Sequence, residues 1–516
     1  MLPPLLLFAA ALLAHGGEVH HRSAAGARAA SAPAAELWPA HWWADAQRAI
    51  RRREAAARAP AAAPAPARAR NVVMFLGDGM SVPTLAAART LRGQRQGRSG
   101  EEASLFFDDF PTVGLVKTYC LDAQVPDSAC TATAYLCGAK ANYGTLGVTS
   151  RVARRDCAAA ADAAHHVSSV AAWALAAGKD VGIVTTTRVT HASPAGAYAH
   201  SADRDWESDA DRPPACRQPD IAAQLVAHEP ARRFKVILGG GRREFLPNTV
   251  VDEEGTRGKR LDGRNLIEEW KNDKISRNVS HSYVWNRQQL MESMLDPPEY
   301  LFGLFEGSHM QYHLEADAET EPTLAELTEA AIRSLRRNPD GFFLFVEGGR
   351  IDHAHHDNLV HLALDETLQM SDAVARAAAL LPADDSLLVV TADHAHVMAF
   401  NGYTRRGGDI LGPSDDLGDD GVPYMTLSYA NGPGARPRPD GARMNVLRDD
   451  NYGDIWWASH AEVPLELETH GGDDVAVFAL GPQHQMFAGL YEQSQLPHLM
   501  AYAGCFGPGR HSCDNH

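Results

Sequence analysis

The sequence is short of positive charge. Its 516 residues carry 48 Lys and Arg against 65 Asp and Glu, a formal net charge of -17. That balance excludes a general binder of nucleic acid or of anionic membrane surfaces, both of which need clustered cations. An anionic substrate would need a local positive centre, and a bound divalent cation is often the largest local charge in a site. Long apolar runs are also scarce: the stretch from Leu5 to Ala14 is too short to cross a bilayer comfortably. No internal repeat is present, which excludes solenoids and propellers. Cysteine is sparse and odd in number, seven in all, so at least one thiol stays unpaired.

What is present begins with residues 1–17, an apolar run followed by small residues that reads as a secretory signal peptide. Residues 18–70 are rich in Ala, Arg and Pro, the texture of an arm or linker. Leu37, Trp38, Trp42, Trp43 and Ile50 fall close to helical spacing within it and predict an amphipathic docking helix. A sequon, Asn278-Val279-Ser280, fits the same extracellular compartment.

The chain is organised around residues 341–357. Phe342 to Val346 predicts a strand buried on both faces, and Glu347, Asp352, His353, His355 and His356 follow at once. Carboxylates and imidazoles at the carboxyl end of a buried strand suggest a metal site, although a solvated His-rich loop reads equally well in isolation. Other strands end the same way. Asn71 to Leu76 runs into Gly77-Asp78-Gly79, Ser386 to Thr391 runs into Asp393-His394, and Glu468-Thr469-His470 precedes the strand Val475 to Leu480. Lys179 to Thr187 leads to His191, Ser193 and Arg204, which suit a hard metal's surroundings and a phosphate fork. Asp127 or Ser128 would open an Ala- and Thr-rich helix, where free N–H groups favour negative charge; an ordinary helix cap is the commoner meaning. Strands alternating with helices predict a doubly wound α/β sheet with helices on both faces and one polar crevice, over residues 71–400. Residues 401–467 change to Gly, Pro, Asp and Arg and read as an inserted surface subdomain, and residues 468–516 complete the domain.

At this point the chain resembles the alkaline phosphatase family. The resemblance rests on Phe75-Leu-Gly-Asp78-Gly-Met, Asp127-Ser128-Ala-Cys-Thr-Ala-Thr-Ala, Thr187-Arg-Val-Thr-His191-Ala-Ser193, Glu347-Gly-Gly-Arg-Ile-Asp352-His-Ala-His-His356, Thr391-Ala-Asp393-His394 and Glu468-Thr-His470. It implies a broad-range, metal-dependent phosphate monoester hydrolase acting through a phosphoserine at Ser128. One zinc would be held by Asp352, His356 and His470, a second by Asp78, Asp393 and His394. A magnesium would lie between Asp78, Ser193 and Glu347 with His191 close by, and Arg204 would clamp the phosphate oxygens. Zinc in pairs suits such chemistry because two ions can clamp the attacking and leaving oxygens of an in-line displacement.

The resemblance further implies a calcium site in a lobe around residues 240–325, from Glu254, the Phe305 carbonyl, Glu306 and Glu321. It pairs Cys157 with Cys216 and Cys505 with Cys513. Cys120 and Cys130, as in arthropod members, could join around the nucleophile, leaving Cys137 free. A homodimer is implied, with the arm helix reaching the other subunit, residues 401–467 as the crown, and Tyr403 near the neighbouring active site. The chain ends without the hydrophobic tail of a lipid-anchor signal, so secretion or a cell-surface location is the expectation. Two rivals remain. A phosphodiesterase or sulfatase of the wider superfamily would have less use for Arg204 and Glu347, and a silent binding protein need not fill every ligand position.

Overall fold

The computed structural model describes residues 68–507 apart from positions 438 and 450, so the signal segment and the arm helix lie outside the described residues. Ten strands form the central sheet. In spatial order they are Gly489–Glu492, Thr112–Lys117, Val475–Leu480, Ser386–Ala392, Asn71–Gly77, Phe342–Gly348, Asp180–Arg188, Val236–Gly240, Tyr300–Leu304 and His281–Val284. Only Val475–Leu480 runs against the rest.

Every residue of Asn71–Gly77, Phe342–Gly348 and Ser386–Ala392 is buried, as expected for parallel strands covered on both faces. Leu324–Leu335 and Val360–Leu380 pack on one another and on these strands, and Leu496–Gly504 packs with Val170–Ala176. Leu324–Leu335 starts at a Thr323/Glu326 capping box, in which each side chain satisfies the other residue's free N–H. Thr112–Lys117 alternates buried and exposed residues, so one of its faces meets solvent.

Two segments hold more order than their sequence suggests. Residues 242–323 contain the helices Leu266–Ser276 and Arg287–Ser293, the edge strand His281–Val284 and its neighbour Tyr300–Leu304. The strands are only four and five residues long, and the first helix buries only Leu266, Ile267, Trp270 and Lys274, so neither period stands out. The inserted segment folds around a three-stranded sheet (Met398–Phe400, Leu427–Gly432, Ala461–Pro464) and the pair Pro413–Leu417 and Pro423–Met425.

What positions the site is the register of four adjacent parallel strands. Gly77 pairs with Gly348 on one side and Ala392 on the other, and Thr185 pairs with Glu347. Asp78, Glu347 and Asp393 therefore emerge level at one edge of the sheet. His470–Gly471 pairs antiparallel with Ala395–His396 and brings a distant histidine to the same edge.

Candidate functional site

Three groups of ligand-type side chains, all buried except half-buried His356 and His470, meet at this edge: Asp352, His356, His396 and His470; Asp78, Asp393 and His394; and Asp78, His191 and Glu347. In the first, His356 Nδ1 donates to the Glu468 carbonyl (2.6 Å) and His470 Nδ1 to the Pro126 carbonyl (2.7 Å). Each imidazole therefore carries its proton on Nδ1 when neutral, and both Nε2 atoms are bare. They nevertheless stand 3.1 Å apart, and each is 3.4 Å from an Asp352 oxygen. Lone pairs converging without a proton between them fit a cation, and backbone carbonyls holding the far nitrogen are the usual support for metal-bound histidine.

In the second group His394 Nε2 lies 3.1 Å from Asp393 Oδ2, 3.5 Å from Asp78 Oδ1 and 3.2 Å from Ser128 Oγ. Both carboxylate oxygens are buried without a hydrogen-bond partner, as is Glu347 Oε1. Thr185 and Thr187 donate to Glu347 Oε2, which leaves the other oxygen turned to the third group, and Ser193 Oγ reaches Asp78 Oδ2 at 3.5 Å. Burial and the charges of Asp393, Asp352 and Glu347 lift Asp78 well above the carboxylate range; burial, then Asp393, brings Glu347 to about 7. Orphaned carboxylate oxygens crowded in a dry site are costly unless positive charge is added, and hard oxygen donors with imidazole are what zinc and magnesium take. Both triads and the Asp78/Glu347 pair thus fit resident divalent ions.

Ser128 is the first residue of the helix Ser128–Cys137, capped by Asp127, whose carboxylate accepts from the N–H groups of Ala129 and Cys130. Arg204 is nearby: it donates to Asp127 Oδ2 and to His191 Nε2, both at 3.0 Å. Burial and the neighbouring Arg204 and Arg188 charges push the His191 imidazole well below its ordinary range, which keeps it neutral and able to accept that bond.

One residue here was not assigned from the sequence. His396 lies against Asp352 and Glu468 in the first group; burial would lower its pKa, but the Glu468 and Asp352 carboxylates outweigh it and bring it to about 10. Its place two residues after His394 was the available signal. The residues expected to hold calcium are differently engaged. Glu254 accepts from Arg242 (2.9 Å), Glu306 from the Gln311 side chain (2.8 Å) and Glu321 from the Gln311 N–H (2.8 Å), while Phe305 is buried beside them in sequence. Burial, then the Glu306 and Glu254 charges, lifts Glu321 to about 8, so the three carboxylates lie near one another, with Gln311 joining Glu306 to Glu321. Cys120–Cys130 and Cys157–Cys216 are disulfides and Cys137 is the buried free thiol, pushed up to about 12 by burial. Cys505 is disulfide-bonded, and its expected partner Cys513 lies outside the described residues. The Cys120, Asp127 and Cys130 cluster is thus no metal site. Tyr403 is exposed.

A model of the alkaline phosphatase family matches residues 69–506. The chain belongs to the alkaline phosphatase family. It is 63% identical to a membrane-bound alkaline phosphatase of Bombyx mori over 95% of this chain and 90% of that protein. It is also 49% identical to the tissue-nonspecific alkaline phosphatase of Felis catus, over 86% of this chain and 85% of that protein. Among solved structures, the Thermus thermophilus alkaline phosphatase matches with a TM-score of 0.59 and 26% identity, covering 84% of this chain and 92% of that one. The enzyme of the Antarctic bacterium TAB5 shares the fold at TM-score 0.59 and 19% identity, covering 86% and 99%. As a member of this family the chain is a metal-dependent phosphate monoester hydrolase.

Proposed function

We propose that this alkaline phosphatase works through a phosphoserine on Ser128. One zinc site is Asp352, His356 and His470, a second is Asp78, Asp393 and His394, and a magnesium site is Asp78, Ser193 and Glu347. The observation that carries the proposal is the Ser128 hydroxyl, at the first turn of a helix and 3.2 Å from His394 Nε2, facing two unpartnered carboxylate oxygens. When bound, the ions supply positive charge that lowers the pKa of the serine hydroxyl and offsets charge on the phosphate and on the departing oxygen.

The chain's own groups do the rest. Ser128 Oγ attacks phosphorus, the bond from phosphorus to the ester oxygen breaks, and the alcohol leaves with a proton from solvent. The free N–H groups of the first helical turn favour the negative charge beside them. Arg204 turns its N–H fork to the phosphate oxygens while Asp127 and neutral His191 hold its plane. Water then attacks the phosphoserine, the P–Oγ bond breaks, and orthophosphate and the Ser128 hydroxyl remain. The charged fork favours monoester dianions over diesters.

A calcium ion in the Glu254, Phe305, Glu306 and Glu321 lobe is supported by the mutual closeness of the three carboxylates, and no step of the reaction runs through it. A homodimer through residues 401–467 is supported by exposed Tyr403, Leu447, Trp456 and Val463 in that segment. An extracellular or cell-surface location is supported by the disulfides, by the exposed Asn278 sequon and by the membrane-bound silkworm relative. No helix among the described residues is long and apolar enough to cross a membrane.

The test is hydrolysis of p-nitrophenyl phosphate at alkaline pH. Activity that chelator abolishes, zinc with magnesium restores and Ser128→Ala removes is the expected result. A folded, metal-loaded protein without activity contradicts the proposal.

A further inference from the structure

The Cys120–Cys130 disulfide flanks the nucleophile, and the mechanism above makes no use of it. Asp127 packs against the bridge: Cys120 Sγ is 4.0 Å from Asp127 Oδ1, and Cys130 Sγ is 3.4 Å from the Asp127 backbone carbonyl oxygen. Both cysteines are buried, yet the chain between them runs through exposed Leu121, Asp122, Gln124 and Val125. Apart from the bridge, this loop is held by the Leu121 N–H donating to the Ala141 carbonyl (3.0 Å), the Tyr143 N–H donating to Asp122 (2.8 Å) and His470 Nδ1 donating to the Pro126 carbonyl (2.7 Å).

Asp127 in turn governs Arg204 by two routes. Its Oδ2 accepts from the guanidinium at 3.0 Å, and its Oδ1 accepts from the Gly144 N–H at 2.9 Å. The Gly144 carbonyl accepts from the Arg204 backbone N–H at 2.9 Å. Side chain and main chain of the arginine are thus both referred to one carboxylate, which packs beside the bridge and accepts from the Cys130 N–H at 3.2 Å. Donors aimed in advance at the transferring group are worth most when they cannot reorganise, and displacement of about 1 Å is enough to cost a large part of such a contribution.

We propose that the Cys120–Cys130 bridge is a positioning element for Arg204: by fixing Asp127 it sets the plane in which the guanidinium meets phosphate. The proposal rests on the reading of Arg204 as the phosphate clamp. A bridge that served only to hold the loop folded would lower stability without regard to Arg204.

The test uses the metal-loaded enzyme, with inorganic phosphate as competitive inhibitor of p-nitrophenyl phosphate hydrolysis. The parent, Cys120→Ala/Cys130→Ala, Arg204→Ala and the triple variant form a cycle, with metal content measured on each because His470 also bonds the Pro126 carbonyl of this loop. Opening the bridge is expected to weaken phosphate inhibition roughly 3- to 10-fold in the parent and less than about 2-fold in the Arg204→Ala background, as for groups acting through one contact. Unchanged inhibition, an equal loss in both backgrounds, or a loss accounted for by missing metal overturns the proposal. If Arg204→Ala alone leaves phosphate inhibition unchanged, the clamp reading itself has failed and the proposal falls with it. Should the double alanine variant not fold, Cys120→Ser alone opens the bridge with a smaller change in packing and completes the same cycle.

Discussion

His396 is held between two buried carboxylates, with Nε2 2.6 Å from Asp352 Oδ1 and Nδ1 2.5 Å from Glu468 Oε2. Glu468 also accepts from the Val397 N–H at 2.8 Å, so this histidine ties a proposed zinc ligand to the segment that carries His470. His396→Ala leaves both carboxylates buried without their partner, a change that costs about 3–5 kcal/mol. It also frees Asp352 to turn, and loss of such supports weakens metal affinity about 10- to 100-fold. Denaturant unfolding and zinc content after dialysis check both; a variant with parental stability and zinc retention would show that His396 merely fills space.

In the metal-free protein the contribution of Glu347 to stability is expected to fall as pH rises. Burial and the Asp393 charge raise Glu347 from its ordinary 4.5 to about 7, while Asp78 and Asp393 are raised with it. A carboxyl group whose pKa is higher folded than unfolded favours the fold below its unfolded value, and that advantage is lost as it ionises. For Glu347 the window is therefore pH 4.5 to 7, and the loss is on the order of 3 kcal/mol. Glu347→Gln isolates this contribution: among chelated proteins the variant should gain stability relative to the parent as pH rises from 4.5 to 7, read from paired thermal melts. A parent-to-variant difference that does not change across this window would contradict the raised Glu347.

Arg204→Lys should not be tolerated. The guanidinium bonds Asp127 and His191 through separate nitrogens, and a single ammonium cannot hold both while meeting phosphate. Loss of one charge-assisted hydrogen bond, about 1.5–3 kcal/mol, lowers kcat/KM roughly 10- to 100-fold. Steady-state kinetics with a monoester and a diester separate the cause: the monoester should suffer more.

The sequence made much of this centre readable because its proposed ligands follow buried strands directly. Asp78, Glu347 and Asp393 sit at the ends of apolar runs with uniform burial, and the N-terminal place of Ser128 follows from Asp127 as a cap. Contacts set by tertiary closure were not readable. Thr185 and Thr187 look like ordinary strand residues until Phe342–Gly348 pairs alongside and delivers Glu347 to their hydroxyls. His396 becomes informative only through the pairing of Ala395–His396 with His470–Gly471, between segments more than seventy residues apart. The helix Val360–Leu380 also went unremarked, although it is the longest described helix, because its buried face includes Asp365, Glu366 and Ser371.

Cys157–Cys216 closes a loop of 59 residues, large enough for a sizeable effect on the unfolded chain. Replacing both cysteines by alanine should cost about 4 kcal/mol in the chain-entropy picture. Urea denaturation of the metal-loaded variant measures it, and a loss under about 1 kcal/mol would mean the surrounding cluster of Val148, Val152, Ala160, Ala202 and Trp206 holds this region unaided.

The most direct measurement is an acid quench of the metal-loaded enzyme during turnover of a labelled phosphate monoester, followed by peptide mapping. Label esterified to Ser128, absent from Ser128→Ala and absent after chelation, is the expected result. Steady turnover with no covalent label, or label on another residue, would contradict the phosphoserine mechanism.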